Sequence, residues 1–208
     1  MKTLAQVKMG MAACCLLAAL GCAQDNTVTR AGKESNFAVS GIAVLPVKPA
    51  ADVRESLSLA DEKTLQSGSR VMDGLLQEAL ANKAGFRFVK AGRIEDAGHN
   101  LATARRIAAQ QGCNALLETT LSRYVERIGG EYGVKQPAAV TFAYKLYEVD
   151  EGKVLCHGSF DEQQQSLMEN LLTLPKAQHR GLIWLTAEEL ARDGLKEKLG
   201  QCPYLEGK

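Results

Sequence analysis

The chain has 208 residues, with 25 Lys and Arg against 24 Asp and Glu, a formal net charge of +1. Neither sign gathers into a long run, which argues against nucleic acid and anionic lipid as electrostatic partners. The length suits one core of ordinary size, and the charge balance excludes a disordered polyelectrolyte.

Met1 to Gly21 has the parts of an export signal: Lys2 and Lys8 at the start, an apolar run from Met9 to Leu20, and small residues at its exit. About a dozen apolar residues fall short of the ~20 that a bilayer core requires. The run closes on Ala19-Leu20-Gly21-Cys22, which resembles the lipobox of bacterial lipoproteins. That resemblance implies cleavage between Gly21 and Cys22, with acyl chains on the sulfur and the new amino group of Cys22. Two or three chains anchor stably where one holds only marginally. Ala23, where an inner-membrane lipoprotein would carry Asp, implies the outer membrane and its periplasmic face.

Loss of residues 1–21 removes two lysines and leaves 187 residues with a formal charge of −1. Ala23 to Asn36 is polar and reads as a tether, so residues 22–36 form a lipidated linker and 37–208 a single domain. Fourteen tether residues reach at most ~50 Å, and on average roughly 20 Å.

Ile42-Ala43-Val44-Leu45, between Gly41 and Pro46, reads as a strand buried on both faces. Lys48 to Leu65 reads as a long mixed connection, suited to a partner-binding loop or to a loop with a short helix in it. Ser67 to Asn82 has helical spacing, with Val71, Leu75, Leu76, Ala79 and Leu80 on one face and Ser67 or Ser69 as a cap. Phe86 to Val89 is a short strand. Asn100 to Gln111 is a helix capped by Asn100 and ended by Gly112.

Ala115 to Val125 alternates with Leu117, Leu121 and Val125 on one side, as an antiparallel strand with one wet face does. Ala138 to Val149 alternates likewise. Asp150-Glu151-Gly152 then turns the chain into Lys153 to Gln164, completing a meander. Gly129 to Gly133 joins the first two of these strands and reads as a hairpin tip rather than a phosphate cradle. Ser166 to Leu174 resumes an apolar pattern that stops at Pro175. Thr186-Ala-Glu-Glu189 is a capping box, with Leu185 and Leu190 as its staple, and Gly200 ends the last helix.

The fold class is therefore α/β, a single mixed sheet in the order β-α-β-α-β-β-β with helices packed on it and carboxy-terminal helices added. Leu182, Ile183 and Trp184, before the last cap, suit either an anchor for a partner or core packing at the base of the helix. Among Cys113, Cys156 and Cys202, one disulfide or buried inert thiols fit an oxidising compartment, with the pairing open. Their spacing and that of His99, His157 and His179 do not suit a metal, and no cofactor motif is present. No Gly-x-Ser-x-Gly nucleophile turn occurs. Asp61-Glu62, Glu118 with Glu126, and Asp161-Glu162 are carboxylate pairs suited to acid/base work on a glycan, which leaves an envelope hydrolase or glycan-binding enzyme as the second reading.

The element order behind a lipobox, with the strand IAVLPV, is similar to the periplasmic α/β domain of the curli secretion lipoprotein, the lipoprotein activator of penicillin-binding proteins and the amino-terminal domain of the Tol propeller protein. The resemblance spans Phe37 to Gln164. The connection from Gly129 to Pro137 is too short for a membrane-spanning hairpin, which argues against a pore, and the tether is short for reaching an enzyme across the periplasm. The Leu182 to Leu199 tail departs from all three. The resemblance implies a non-catalytic outer-membrane lipoprotein that binds a protein partner in envelope assembly or secretion; it leaves the oligomeric state open.

Overall fold

The computed structural model describes residues 37–49, 59–90, 92, 100–164 and 184–206. The apolar run forms β1 (Ile42–Val44), buried at all three residues. It lies between two parallel neighbours, β3 (Phe86–Phe88) and β4 (Ala115–Val125), with Ile42 in register with both Phe86 and Ala115. Beyond β4 follow β7 (Ala139–Glu148) and β8 (Val154–Gln163), each antiparallel to the strand before it. The sheet order is β3-β1-β4-β7-β8, the mixed sheet expected. A short β2 (Lys48–Pro49) continues beyond Pro46 and pairs with β4 at Thr120 and Leu121.

Because β3 and β4 lie on opposite sides of β1, right-handed crossovers must put the two connecting helices on opposite faces of the sheet. They do. The first helix, α1 (Leu59–Leu80), joins the core of Ile42, Val44, Leu117, Phe142 and Tyr144 through Leu65, Met72, Leu75, Leu76 and Leu80. The second, α2 (Leu101–Gln110), packs Ala104, Ile107 and Ala108 on the other face, against Ala43, Leu45, Leu116 and Tyr147. Burial of β1 on both sides explains its unbroken apolar run. The third helix, α3 (Ala187–Leu199), lies beside α1, and Arg192 of α3 pairs with Glu78 of α1.

Three expectations need correction. Helix α1 spans Leu59–Leu80 rather than starting near Ser67, so residues 59–65 of the Lys48 to Leu65 connection are helical, in line with a helix in the loop, and its other end is β2. Ser67 and Ser69 therefore lie inside α1, where their hydroxyls donate to the carbonyls of Thr64 and Gln66 three residues back instead of capping. In β4 a bulge at Ser122 shifts the register from Leu121↔Phe142 to Arg123↔Thr141. The extra residue reverses the alternation, so Tyr124 rather than Val125 joins Leu121 on the α1 face.

Other local readings stand. Asn100 accepts the Thr103 N–H at 2.7 Å, and Gly112 supplies a left-handed residue (φ 70°) behind α2. Gly129 to Gly133 is the tip of a separate ribbon of β5 (Ile128–Gly129) and β6 (Val134–Gln136). The capping box on α3 is complete: Glu189 N–H donates to Thr186 Oγ1 at 3.2 Å, and Thr186 N–H to Glu189 Oε2 at 2.8 Å. That bond from the Thr186 backbone holds the Glu189 carboxyl below its ordinary range. We expect Thr186→Ala to cost about 1 kcal/mol in urea unfolding, through loss of the cap alone. Cys156 of β8 is bonded to Cys202 behind α3, and Cys113 is a buried free thiol, pushed up by its burial. Ser166 to Leu174 lies outside the described residues.

Candidate functional site

The strand order that splits α1 and α2 between the two faces leaves a crevice at the carboxyl end of β1, where open α/β sheets place ligand sites. A cleft of about 260 Å³ occupies it. Buried Leu45, Val47 and Ala104 give it an apolar base. Asp73 and Ser69 of α1 stand on one side and Glu118 of β4 on another, with Asn100 and Leu101 from the start of α2. Exposed Lys48 and Arg70 complete its rim.

Asp73 and Glu118 are both half-buried. Asp73 Oδ1 accepts the Val47 N–H at 2.7 Å, which ties α1 to the chain leaving β1. Glu118 Oε2 accepts the Tyr147 hydroxyl at 3.3 Å. Desolvation raises the Asp73 carboxyl above 3.8, with the Val47 bond opposing it. Between 3.8 and the raised value the folded chain holds a proton that the unfolded chain has lost, so stability falls as pH rises through that window. Asp73→Asn keeps the acceptor for Val47 and removes the charge. We expect it to raise the melting temperature at pH 7, with the gain vanishing below about pH 4 as both forms become neutral.

The surface nominated around Trp184 lies elsewhere. Trp184 N–H donates to the Glu131 carbonyl at 2.8 Å, and the Arg127 guanidinium donates to the Trp184 carbonyl. Glu126 accepts the Ala187 N–H at 3.1 Å, placing a carboxylate at the start of α3. The β5–β6 ribbon thus clamps the entry to α3, and Trp184 is half-buried in that clamp. Leu182 and Ile183 lie outside the described residues, as do 50–58 of the nominated connection; Pro49 and Gln66 at its borders line the cleft. Tyr132 at the ribbon tip is 85% exposed and Ile128 is 54% exposed.

The nominated pairs Glu118 with Glu126 and Asp161 with Glu162 do not converge. Glu118 lies within β4 and Glu126 just beyond its end, eight residues on, and each is engaged separately. Asp161 and Glu162 are neighbours on β8 and so alternate in direction, with Asp161 bound to Arg123 at 2.8 Å and to Thr141 at 2.7 Å. Asp61 and Glu62 stand near the start of α1. The cleft instead is lined by Asp73 from α1 and by Glu118 of β4 from the face of the sheet that carries Tyr147, a placement that no sequence spacing encodes. Among the described residues no three metal-ligating side chains come together, and no helix is long and apolar enough to cross a membrane.

No sequence-family model and no curated protein sequence matches the chain. Solved structures do. PelC from Paraburkholderia phytofirmans, a dodecamer, is 12% identical, with 81% of this chain and 89% of that one covered and a TM-score of 0.46. The lipoprotein GNA1162 from Neisseria meningitidis is 19% identical over 68% of this chain and 97% of that one, at a TM-score of 0.39. The LpoB C-terminal domain from Salmonella enterica is 18% identical over 62% and 87%, at 0.36. Likenesses of this size concern the course of the chain and leave activity open.

Proposed function

We propose that this chain is a lipid-anchored, non-catalytic protein-binding module of the outer membrane, facing the periplasm and acting in envelope assembly or secretion. The observation that carries the reading is the lipobox at Cys22 followed by a short polar tether to a folded domain. The Cys156–Cys202 disulfide supports it, since such bonds persist in oxidising compartments. The separate structural engagement of Glu118, Glu126 and Asp161 supports the non-catalytic part.

The direction of the sheet adds an orientation. The chain enters at Phe37, beside the amino end of β4, where Asn114 Nδ2 donates to the Ala38 carbonyl at 2.8 Å and Asn114 Oδ1 accepts the Ser40 N–H at 2.9 Å. The β5–β6 ribbon follows the other end of β4, eleven residues or roughly 35 Å away. A tether averaging roughly 20 Å holds the entry end toward the leaflet, so the ribbon and the mouth of the cleft face away from it.

Cys22→Ala is expected to move the protein wholly from the membrane pellet to the soluble periplasmic fraction, or to leave it unprocessed; continued acyl labelling would refute the assignment. The partner is tested by chemical crosslinking in intact cells, followed by detergent extraction with the anchor in place. The proposal expects one envelope protein to be enriched over a mock-tagged control. Recovery of none would overturn it.

A further inference from the structure

We propose that the cleft at the end of β1 is a pocket for one basic side chain of the protein partner, an arginine or lysine flanked by acidic residues. This rests on the protein-binding reading and names what the module grips. Three observations carry it. First, Asp73 and Glu118 are drawn in from solvent, yet each accepts a hydrogen bond only from a neutral donor, Val47 N–H and Tyr147 O–H, and neither has a cationic partner among the described residues. A withdrawn carboxylate without a countercharge is costly, and an entering cation relieves that cost.

Second, the base formed by Leu45, Val47 and Ala104 is apolar, as the methylene stem of a long basic side chain requires. Third, about 260 Å³ holds one side chain and lies below the ~300 to 1,000 Å³ typical of pockets for free small molecules. Lys48 and Arg70 stand exposed at the rim, with no ion-pair partner among the described residues. The charge order, negative within and positive around, fits a basic anchor with acidic neighbours and disfavours the reverse pattern.

The test uses the full mature chain in detergent and three fluorescein-labelled, amide-capped peptides read by anisotropy: Glu-Glu-Arg-Glu-Glu, the same with norleucine for arginine, and the charge-reversed Lys-Lys-Glu-Lys-Lys. We expect the arginine peptide to bind at least about tenfold tighter than either control. Asp73→Asn and Glu118→Gln should each weaken it at least about fivefold, without loss of melting temperature. Asp161→Asn, a carboxylate away from the cleft, should leave it unchanged. Equal binding of the three peptides, tighter binding of the charge-reversed one, no saturable binding by any, or an arginine affinity indifferent to Asp73→Asn and Glu118→Gln would each overturn the pocket. Capture of an envelope protein by a chain without the arginine preference would refute the pocket and leave the protein-binding reading standing. Failure of capture would refute that reading whatever the peptides do.

Discussion

Reduction of the Cys156–Cys202 disulfide is expected to remove about 4 kcal/mol of stability, the chain-entropy value for a cross-link spanning 46 residues. The bond ties the segment behind α3 to β8. The other end of α3 is held by the Thr186 box and by Glu126, so the disulfide closes the second of two fastenings. Cys202 and Leu205 are fully buried there, and Lys83 Nζ donates to the Leu205 carbonyl at 2.6 Å. Urea unfolding of the mature chain with and without reductant, and of the Cys156→Ser/Cys202→Ser double variant, measures the effect. Coincident curves would show that the bond contributes nothing. Thiol titration in denaturant should find one free thiol, Cys113, if Cys22 carries the proposed acyl group.

Gly68→Ala is the second large effect, and its sign is decided by one contact. In an open helix position, Ala in place of Gly gains about 1 kcal/mol. At Gly68 an added Cβ would stand 2.5 Å from Cγ and 2.8 Å from Cβ of Tyr124, the root of a ring fixed to the β4 backbone. Relief requires α1 or the bulged end of β4 to move, which we expect to cost about 1 to 3 kcal/mol net. Partial burial, with Glu126 and Glu188 adding, also pushes the Tyr124 hydroxyl up to about 12. Gly74, in the same helix with nothing within 4 Å of its added Cβ, is the control, and Gly74→Ala should stabilise by about 1 kcal/mol. In a Tyr124→Gly background, which removes both Cγ and Cβ, Gly68→Ala should become neutral or stabilising. A cost that persists there would place the strain elsewhere.

These two sites mark the reach of sequence reasoning. Period-two alternation located β4, β7 and β8, and the unbroken run at Ile42 located β1, because burial on one face or on both leaves different signatures. The caps at Asn100 and Thr186 were legible because capping is a local bond within three residues. The start of α1 was not. Leu59 to Gln66 carries Asp61, Glu62, Lys63 and Gln66 around the buried Leu65, so its apolar stripe is too sparse to announce a helix. The Ser122 bulge was hidden too, since an inserted residue alters which face Tyr124 and Val125 take without altering composition. The cleft was the least legible feature. Asp73 and Glu118 are 45 positions apart and line one cleft only because the crossovers set α1 and α2 on opposite faces at the end of β1.

The proposed anchor at Cys22 underlies every step of the proposed function, from the oxidising compartment to the orientation of the cleft, and the intact mass of the protein purified from membranes tests it most directly. The account predicts a chain that begins at Cys22, lacks residues 1–21 and carries a diacylglyceryl group on sulfur and an acyl group on its amino terminus. A mature chain that begins elsewhere, or a Cys22 of unmodified mass, would contradict it.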